Sequence, residues 1–455
     1  MAAYPAPGRR HEGPAGPRSS VLIPEPENTA RGAQPPASQS DYIEAATAMQ
    51  LLKVRAQTLY AYVSRGWIRS VAQPGKKAKR YHSGDVERLR KRSEARAGHG
   101  AVAAAAMDWG QPILPTSITE ITPQGPAYRG HPAAALVRAG TSVEAVSELL
   151  WTGKLPDKAP RWRVPAPAPG LVTLAGSLSA SDPADNVLEV FAMATLLLGI
   201  DHGSTEQRLA RGGTLAAGRE IMQAMVGFCG LIGPGRAYRP MQARETLLQA
   251  LTASLGMSPT AENTEALRAL LILLADHELP PGTLSARVVA SAGGSLQSCL
   301  AAALCATSGV ELGRMYARVE KLIGKGARRA TLVRRACQLL EQGQAIPGFH
   351  HPLYPAGDPR AALLLDMIRK RATLTRELRA VFSFLDEVQR ITGLRPRQEL
   401  AVVVVTRALQ LAPQAAPALF ALARIAGWIA HVQEQRATSM LLRPRAKFVA
   451  GGSAR

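Results

Sequence analysis

Several histidines and arginines stand where the sequence predicts loops and helix ends, and these residue types bind anions and transfer protons. His277 follows an apolar run in LLADHELPPG, and His350 and His351 lie in the Pro- and Gly-rich sequence PGFHHPLYPAGDPRA. A histidine on an apolar helix is more often a core residue, and a lone arginine is usually solvated. Binding residues nevertheless concentrate on loops that rigid elements hold, so these contexts favour a functional site. The arginines in comparable contexts are Arg360, Arg424 and Arg443.

The elements that must position these side chains are predominantly helical. From Met107 onward, apolar residues recur at helical spacing, and Pro and Gly mark the turns. There is no strand–helix alternation and no Gly-rich nucleotide motif after a strand, so the sequence predicts a mainly α fold rather than a doubly wound nucleotide-binding one. The predicted helices cover 186–199, 216–228, 262–275, 283–307, 360–387, 397–411 and 413–433.

Several long motifs in this part of the chain resemble the citrate synthase family. They occur in the family's order and span residues 107–455. The motifs are YRG, SELLWTGKLP, ADHE, GFHHPLYPAGDPRA, RIAGWIAH and RPRAKFV. The resemblance implies large and small helical domains, a cleft that closes on substrate, and a homodimer. It also implies a Claisen-type condensation of an acyl-CoA, such as acetyl-CoA, with oxaloacetate. Coenzyme A thioester is then a co-substrate, and no tightly bound cofactor or metal is expected.

The resemblance also implies a role for each matched residue. His351 would donate to the carbonyl of the keto acid and protonate it, and His277 would bind the keto acid. Arg360 and Arg424 would bind its carboxylates, preferably through paired N–H donors, and Arg443 would reach the partner's site across the dimer. The coenzyme A adenine is expected against the loop that contains Ile346, Pro347, Gly348 and Phe349.

Two catalytic positions depart from the family's pattern. Leu312 stands where the family has the histidine that stabilises the enol of the acyl group, and Arg314 replaces a glycine close to it. Glu399 replaces the aspartate that removes the acyl proton, and it is the same base on a longer stem. Loss of one enolate donor typically costs about 10²–10³ in rate, so a reduced activity is expected. Tyr316, four residues after Leu312, offers a substitute hydroxyl.

Residues 41–97 form a separate, basic segment. They contain 13 Lys and Arg against 5 Asp and Glu, in a chain of 455 residues with a net charge of +21. Residues 1–40 hold 8 Pro and 4 Gly and are expected to be a disordered tail, and residues 98–106 are expected to be a linker. Within 41–97 the pattern predicts helix, tight turn, helix and a β-hairpin, followed by a further helix.

This order of elements is similar to the winged helix-turn-helix domain of MerR-like and excisionase-like proteins. The resemblance lies in EAATAMQLLKVRAQTLYAYVSRGWIRS and the later RYHSGDVERL. In such domains the second helix lies in the major groove of DNA while the wing contacts phosphates. A protein-docking appendage is the alternative interpretation. The candidate DNA contacts are Gln57, Thr58, Tyr60 and Arg65 on the second helix and Lys76, Lys77, Lys79 and Arg80 on the wing.

Cysteine content and apolar patterning limit the kinds of protein that this chain can be. The four cysteines form no CxxC pair and have no histidine cluster beside them, which argues against a zinc site and for free thiols in a reducing cytosol. No segment resembles a signal peptide or an uninterrupted membrane span, so a cytoplasmic protein is expected. Three hypotheses remain: a citrate synthase-like enzyme of reduced activity, a DNA-binding regulator that senses a dicarboxylate or acyl-CoA, and an auxiliary subunit that forms a heterodimer with an active homologue.

Overall fold

Two separate units make up the chain in the computed structural model. One comprises Met1–Pro112 with Val449–Arg455, and the other comprises Ile113–Phe448. The predicted tail (1–40) and linker (98–106) lie outside the residues that the structure describes, and the boundary at residue 107 stays a prediction. The described residues are 42–52, 54, 56–64, 68–72, 79–87, 114–179, 186–201, 213–309, 314–438 and 440–444.

Among its described residues, the first unit contains two short helices, a three-stranded antiparallel sheet and a helical segment at 83–87, where the further helix was predicted. Its elements are β1 (Tyr42–Glu44), α1 (Ala45–Leu52), α2 (Ala56–Ser64), β2 (Ser70–Ala72) and β3 (Lys79–His82). The strand order is β1-β3-β2, so the strand that carries Lys79 and Arg80 is central. A small apolar core joins the elements, formed by Ala48, Leu52, Leu59, Ile68, Tyr81 and Val86.

The second unit is almost wholly helical and begins with a small antiparallel sheet of order β4-β5-β6. The strands are β4 (Thr119–Thr122), β5 (Gly125–Tyr128) and β6 (His131–Pro132). The helices are α3 (Ala133–Arg138), α4 (Val143–Thr152), α5 (Pro169–Ser179), α6 (Val187–Asp201), α7 (Gly213–Phe228), α8 (Leu247–Ser254), α9 (Ala261–Leu273), α10 (Pro281–Ser291), α11 (Leu296–Ser308), α12 (Arg314–Ile323), α13 (Arg329–Glu341), α14 (Pro359–Arg369), α15 (Arg376–Thr392), α16 (Gln398–Ala408) and α17 (Ala415–Thr438). The predicted mainly α fold is therefore confirmed for this unit.

Two of the long predicted helices are wrong in extent, because each is divided in two. The predicted helix 283–307 is α10 and α11. Gly293 turns the chain with a φ of +80°, and Ser295 caps α11 by accepting from the Ser298 backbone N–H. The predicted helix 360–387 is α14 and α15, and Thr375 caps the second of these by accepting from the Leu378 N–H. In both cases a side-chain cap starts a new helix where the apolar spacing continues.

Helix α17 occupies the centre of the second unit. It packs against α4, α6, α7, α9, α10, α11 and α16. Its Trp428 is 1% exposed, and the Trp151 indole N–H of α4 donates to the Ala426 carbonyl of α17 at 2.9 Å. By length and composition α17 could cross a membrane, but 89% of its apolar window is buried inside the unit. Burial by these neighbours accounts for its apolar character.

Candidate functional site

Five predicted site residues come from five different places in the second unit. His277 follows α9, His351 lies between α13 and α14, Arg360 is in the first turn of α14, Glu399 is in the first turn of α16, and Arg424 is in α17. All five side chains are buried. Buried ionisable groups are stable only when they are paired or neutral, so their contacts determine what the site can bind.

The two histidines meet through a tyrosine. His277 Nε2 lies 3.0 Å from the Tyr354 hydroxyl. The ring centroids of His277 and His351 are 5.5 Å apart, and those of His351 and Tyr354 are 5.0 Å apart. The GFHHPLYPAGDPRA motif and the ADHE motif therefore form one buried cluster, although 74 positions separate their histidines.

The environment of His351 keeps its ring neutral. Its Nδ1 is 3.2 Å from the Leu353 backbone N–H and accepts from it, and in that tautomer the proton is on Nε2. Burial and then the neighbouring Arg360 lower the pKa of His351 to about 4. The pKa of His277 lies well below its usual value for the same reasons, with Arg424 also contributing. Near pH 7 both rings are uncharged hydrogen-bonding groups.

Arg360 is held by an aspartate two residues before it. Its Nε donates to Asp358 Oδ1 at 2.9 Å, and its Nη2 donates to Asp358 Oδ2 at 2.8 Å. The Nη2 atom is also 3.5 Å from His351 Nε2. Burial alone would raise the pKa of Asp358, but Arg360 holds it below its usual value. The guanidinium is therefore charged and fixed beside Nε2 of His351.

Arg424 has two buried hydrogen-bond donors that no described residue accepts from. Its Nη1 lies 3.7 Å from Asp276 Oδ1, and its Cζ lies 5.2 Å from the centre of the Phe420 ring. Its Nε and Nη1 are buried and have no hydrogen-bond partner among the described residues. Burial lowers the pKa of Arg424, and the charge of Arg360 adds to that effect. An anion in this cluster would meet unused N–H groups and relieve the repulsion between the two arginines.

A second network fixes Asp276 behind Arg424. Asp276 is fully buried, and its Oδ2 accepts from the Thr119 hydroxyl at 2.6 Å and lies 3.2 Å from His431 Nε2. Burial would raise its pKa, but His431 and Arg424 lower the pKa below its usual value. The carboxylate is therefore ionised, and it orients Arg424 from the side that β4 and α17 supply.

Glu399 is not free in this structure. Arg397 Nη2 donates to Glu399 Oε1 at 2.7 Å, and Arg397 Nε is 2.6 Å from Oε2. The charge of Glu399 is among the causes that raise the pKa of Arg360 and of Tyr316. The carboxylate is therefore close enough to both groups to interact with them. One guanidinium is thus hydrogen-bonded to Oε1 of the acid that the sequence proposes as a base, while Oε2 lies close to that charge but has no hydrogen-bond partner among the described residues.

The loop of residues 346–349 is packed through its side chains and paired through its backbone. Ile346 and Phe349 are 2% and 5% exposed. The Gly348 carbonyl accepts from the Arg397 N–H at 2.9 Å, and a β-carbon on Gly348 would lie 2.7 Å from Leu400 Cβ. The loop therefore lies directly against the start of α16, where Glu399 lies. Its contact with an adenine ring stays a prediction.

Other predicted residues lie apart from this cluster. Arg443 is exposed, in the segment after α17, and its role toward a partner subunit stays a prediction. Leu312, Arg65, Lys76 and Lys77 lie outside the described residues. On the first unit, the exposed candidates for DNA contact are Gln57, Tyr60 and Lys79, and the partly buried ones are Thr58 and Arg80.

Several residues that shape the site were not singled out from the sequence. Asp358 and Tyr354 stand within two to three positions of a predicted residue, so the motif itself could have drawn attention to them. Asp276 precedes His277 in ADHE. Thr119 and His431, its partners, lie more than 150 residues away along the chain, and no local pattern connects them.

Comparisons with known proteins bear on this arrangement. A family model described as "Citrate synthase, C-terminal domain" matches residues 106–445. A Mycobacterium tuberculosis protein whose name places it among the citrate synthases is 28% identical over 261 residues, which cover 56% of this chain and 69% of that protein. Citrate synthase 2 of Bacillus subtilis is 32% identical over 199 residues, which cover 42% of this chain and 53% of that protein.

Solved structures share the fold at lower identity. Citrate synthase of Thermoplasma acidophilum, in a ternary complex with carboxymethyl coenzyme A and oxaloacetate, superposes with a TM-score of 0.63 at 19% identity. The match covers 76% of this chain and 95% of that chain. Citrate synthase of Thermotoga maritima gives a TM-score of 0.60 at 21% identity, over 76% of this chain and 96% of that chain. At these identities the likeness establishes the fold of the second unit.

Proposed function

The chain belongs to the citrate synthase family, and on that premise we propose that its second unit condenses an acyl-CoA, such as acetyl-CoA, with oxaloacetate or a similar oxo dicarboxylic acid, at a reduced rate. The observation that carries the proposal is the buried cluster of His277, His351, Arg360 and Arg424. A related protein is known in complex with oxaloacetate and a coenzyme A derivative. The cluster offers the charges and donors that a dianion with a carbonyl group needs.

Each group in the cluster has a part in binding that keto acid. Arg424 uses its free Nε and Nη1 donors for one carboxylate, since guanidinium binds carboxylate through paired donors. Arg360, fixed by Asp358, faces the other. The Nε2–H of His351 donates to the carbonyl oxygen and protonates it when the new carbon–carbon bond forms. His277 is neutral and is hydrogen-bonded to Tyr354. It would contact the keto acid without adding a charge to the site.

The residues proposed to act on the acyl group are less favourable for catalysis than those proposed to bind the keto acid. A reduced rate is proposed for this reason. Glu399 is the base, but Arg397 donates to its Oε1 and pairs with its charge, so the carboxylate must use Oε2 or break this pair for proton transfer. Leu312 offers no donor to the enolate. The coenzyme A adenine is placed against the 346–349 loop, and Arg443 would complete the site of a second subunit in a dimer.

Ligand binding is tested by thermal unfolding of the full chain. Oxaloacetate should raise the melting temperature, because a ligand that binds only the native state adds about 2.7 kcal/mol at a concentration of 100 times its Kd. Succinate, which lacks the carbonyl oxygen that His351 recognises, should give a smaller shift. Arg424→Lys keeps the charge beside Asp276 but loses the paired donors, and it should reduce the shift strongly.

The matched control is Arg369→Lys, at an exposed arginine of α14, which should leave the oxaloacetate shift unchanged. If no dicarboxylate moves the melting temperature of the parent protein, the keto-acid site is wrong. A separate assay of coenzyme A release from acetyl-CoA and oxaloacetate then decides between catalysis and binding alone. Binding with no detectable release would favour the second candidate function.

That second candidate is a regulator that binds DNA through the first unit and a dicarboxylate through the second. It is favoured by the arrangement of the first unit, where α2 exposes Gln57 and Tyr60 and the central strand carries Lys79 and Arg80. An auxiliary subunit that pairs with an active homologue is the remaining alternative. Co-purification of a catalytic homologue whose activity depends on Arg443 would support it.

DNA binding is tested by the salt dependence of affinity for duplex DNA. If the wing contacts phosphates, affinity should fall steeply with salt, because about 0.9 counterion is released for each neutralised phosphate. Replacing Lys76, Lys77, Lys79 and Arg80 with Ala should flatten the slope by up to about four units. Changing Thr58 or Arg65 should instead alter sequence preference, since bases are read in the groove.

Four surface arginines of the second unit, replaced with Ala, provide a charge-matched control and should leave the slope unchanged. They are Arg318, Arg369, Arg379 and Arg390. Failure of the full chain to bind duplex DNA at low salt would remove the regulator from consideration, and the first unit would then be a docking module.

A further inference from the structure

Tyr316 is a buried phenol at the edge of the candidate site. It lies in the first turn of α12 and is 4% exposed. Its hydroxyl donates to Gln398 Oε1 at 3.3 Å, and Gln398 is the residue before Glu399. Its ring centre is 5.8 Å from that of Phe420, the ring that also contacts Arg424. The hydroxyl thus contacts the residue that precedes the proposed base, and the ring packs on the phenylalanine that Arg424 contacts.

The electrostatic surroundings keep this phenol protonated. Burial raises the pKa of Tyr316 well above its usual value, and the charge of Glu399 raises it further. Arg424 and Arg360 lower the pKa, but by less than burial raises it. The group therefore stays an O–H donor at working pH. A neutral donor of this kind stabilises a developing oxyanion by hydrogen bonding and does not give up its proton.

The present hydrogen bond of Tyr316 is weak enough to be exchanged. At 3.3 Å it is longer than the ordinary 2.5–3.0 Å range for O–H···O bonds. Gln398 is anchored separately, because its backbone N–H donates to Asp358 Oδ2 at 3.1 Å. The phenolic hydrogen can therefore rotate about the C–O bond to a better acceptor. An enolate oxygen is such an acceptor, since hydrogen bonds to charged oxygens are stronger and shorter.

Resting on the function proposed above, we propose that Tyr316 is the donor that stabilises the enolate of the acyl-CoA in this chain, in the role that Leu312 cannot fill. Glu399 takes a proton from the carbon next to the thioester carbonyl. The electron pair of that C–H bond forms a carbon–carbon double bond, and the carbonyl oxygen takes the negative charge and accepts from Tyr316. Tyr316 keeps its proton throughout.

The remaining steps return each group to its starting state. The enolate carbon forms a bond to the oxo carbon of the keto acid, and the oxo oxygen takes the proton from His351 Nε2. Water then hydrolyses the thioester, which releases the coenzyme A thiol, a carboxylate and one proton. The proton on Glu399 returns to His351 through solvent. Tyr316 enters only the first step, so its effect should fall on enolisation and not on binding of the keto acid.

The test is Tyr316→Phe in the full chain, a change that removes one oxygen and keeps the ring. Coenzyme A release at saturating acetyl-CoA and oxaloacetate should fall about 10²-fold, as for loss of a single oxyanion donor. Exchange of the acetyl methyl protons of acetyl-CoA in deuterated water, with succinate present, should fall equally. The KM for oxaloacetate and the oxaloacetate-induced rise in melting temperature should not change. Adding Leu312→His to Tyr316→Phe should restore exchange.

The matched control is Tyr238→Phe, at a second phenol of the unit whose pKa is raised to about 12, chiefly by burial, and whose ring packs on Phe228. It should leave both rates unchanged. An unchanged exchange rate in Tyr316→Phe, or no exchange in the parent protein, would overturn the assignment of Tyr316. The keto-acid site fails separately, through loss of the oxaloacetate shift in the parent protein, so the two failures are distinguishable.

Discussion

Arg360→Ala is expected to lower the free energy of unfolding by about 3–5 kcal/mol, because removing one partner of a buried ion pair leaves the other charge unpaired. Arg360 and Asp358 are each 2% exposed, and two side-chain hydrogen bonds join them. Asp358 would keep only the backbone N–H groups of residue 360 and Gln398 as donors. Urea unfolding measures the change, with an unchanged m-value showing that the native state alone is affected.

Arg369→Ala is the control for this loss of stability. Arg369 lies on the same helix and makes the same kind of two-pronged contact, with Asp386, but the two side chains are 46% and 60% exposed. An exposed pair contributes about 0–1 kcal/mol, so this variant should be almost neutral. Equal losses of stability in the two variants would contradict the effect of burial on the pair of Arg360 and Asp358. The oxaloacetate shift should be lost in Arg360→Ala and kept in Arg369→Ala.

Leu312→His is expected to raise coenzyme A release by about 10²-fold in a chain that also carries Tyr316→Phe, because one well-placed donor to an oxyanion typically contributes 10²–10³ in rate. Where Tyr316 already donates, the rise should be smaller, and the parent protein should still be slower than a homologue that keeps the histidine. Arg314, two residues on, has an exposed side chain, but a glycine there gives the backbone more freedom to place the new ring. The double variant with Arg314→Gly should therefore equal or exceed the single one.

Arg314→Gly alone is the control, since it adds no donor and should not increase turnover. An ordinary family-like rate in the unmodified chain would refute either the match of Leu312 to the enol-stabilising histidine or the need for it. A rise that survives Glu399→Gln would show that Glu399 is not the base. Measuring methyl proton exchange beside coenzyme A release separates enolisation from hydrolysis in each variant.

The grouping of His277, His351, Arg360 and Arg424 could be predicted because each of these residues lies in a long motif and the motifs occur in a fixed order. His277 and His351 are on different elements, yet the family resemblance was enough to place them together. The mainly helical fold was also predictable from apolar spacing. The sheet β4–β6 was not, because strands of two to four residues are too short for their alternation to stand out.

The ion pair between Arg397 and Glu399 shows a limit of spacing rules. Residues two apart on a helix do not face each other, so the sequence RQE gives no reason to pair its ends. Arg397 is the residue before the helix, however, with φ −108° and ψ 173°. This extended backbone directs its side chain back over the first turn, where it meets Glu399. The pair depends on where α16 begins, and helix starts are the least predictable part of a pattern.

The central position of α17 has a consequence for how the chain is made. In the part of the chain that the structure describes, every helix that packs against α17 precedes it in the sequence, so each must leave the ribosome first. At about 5–20 residues per second, the interval between the first strand of this unit and the end of α17 is on the order of tens of seconds. Through that interval the earlier helices expose the apolar groove that α17 will fill. Exposed apolar surface of this kind favours aggregation, and translation that stops before residue 415 is expected to yield a product that cannot close its core.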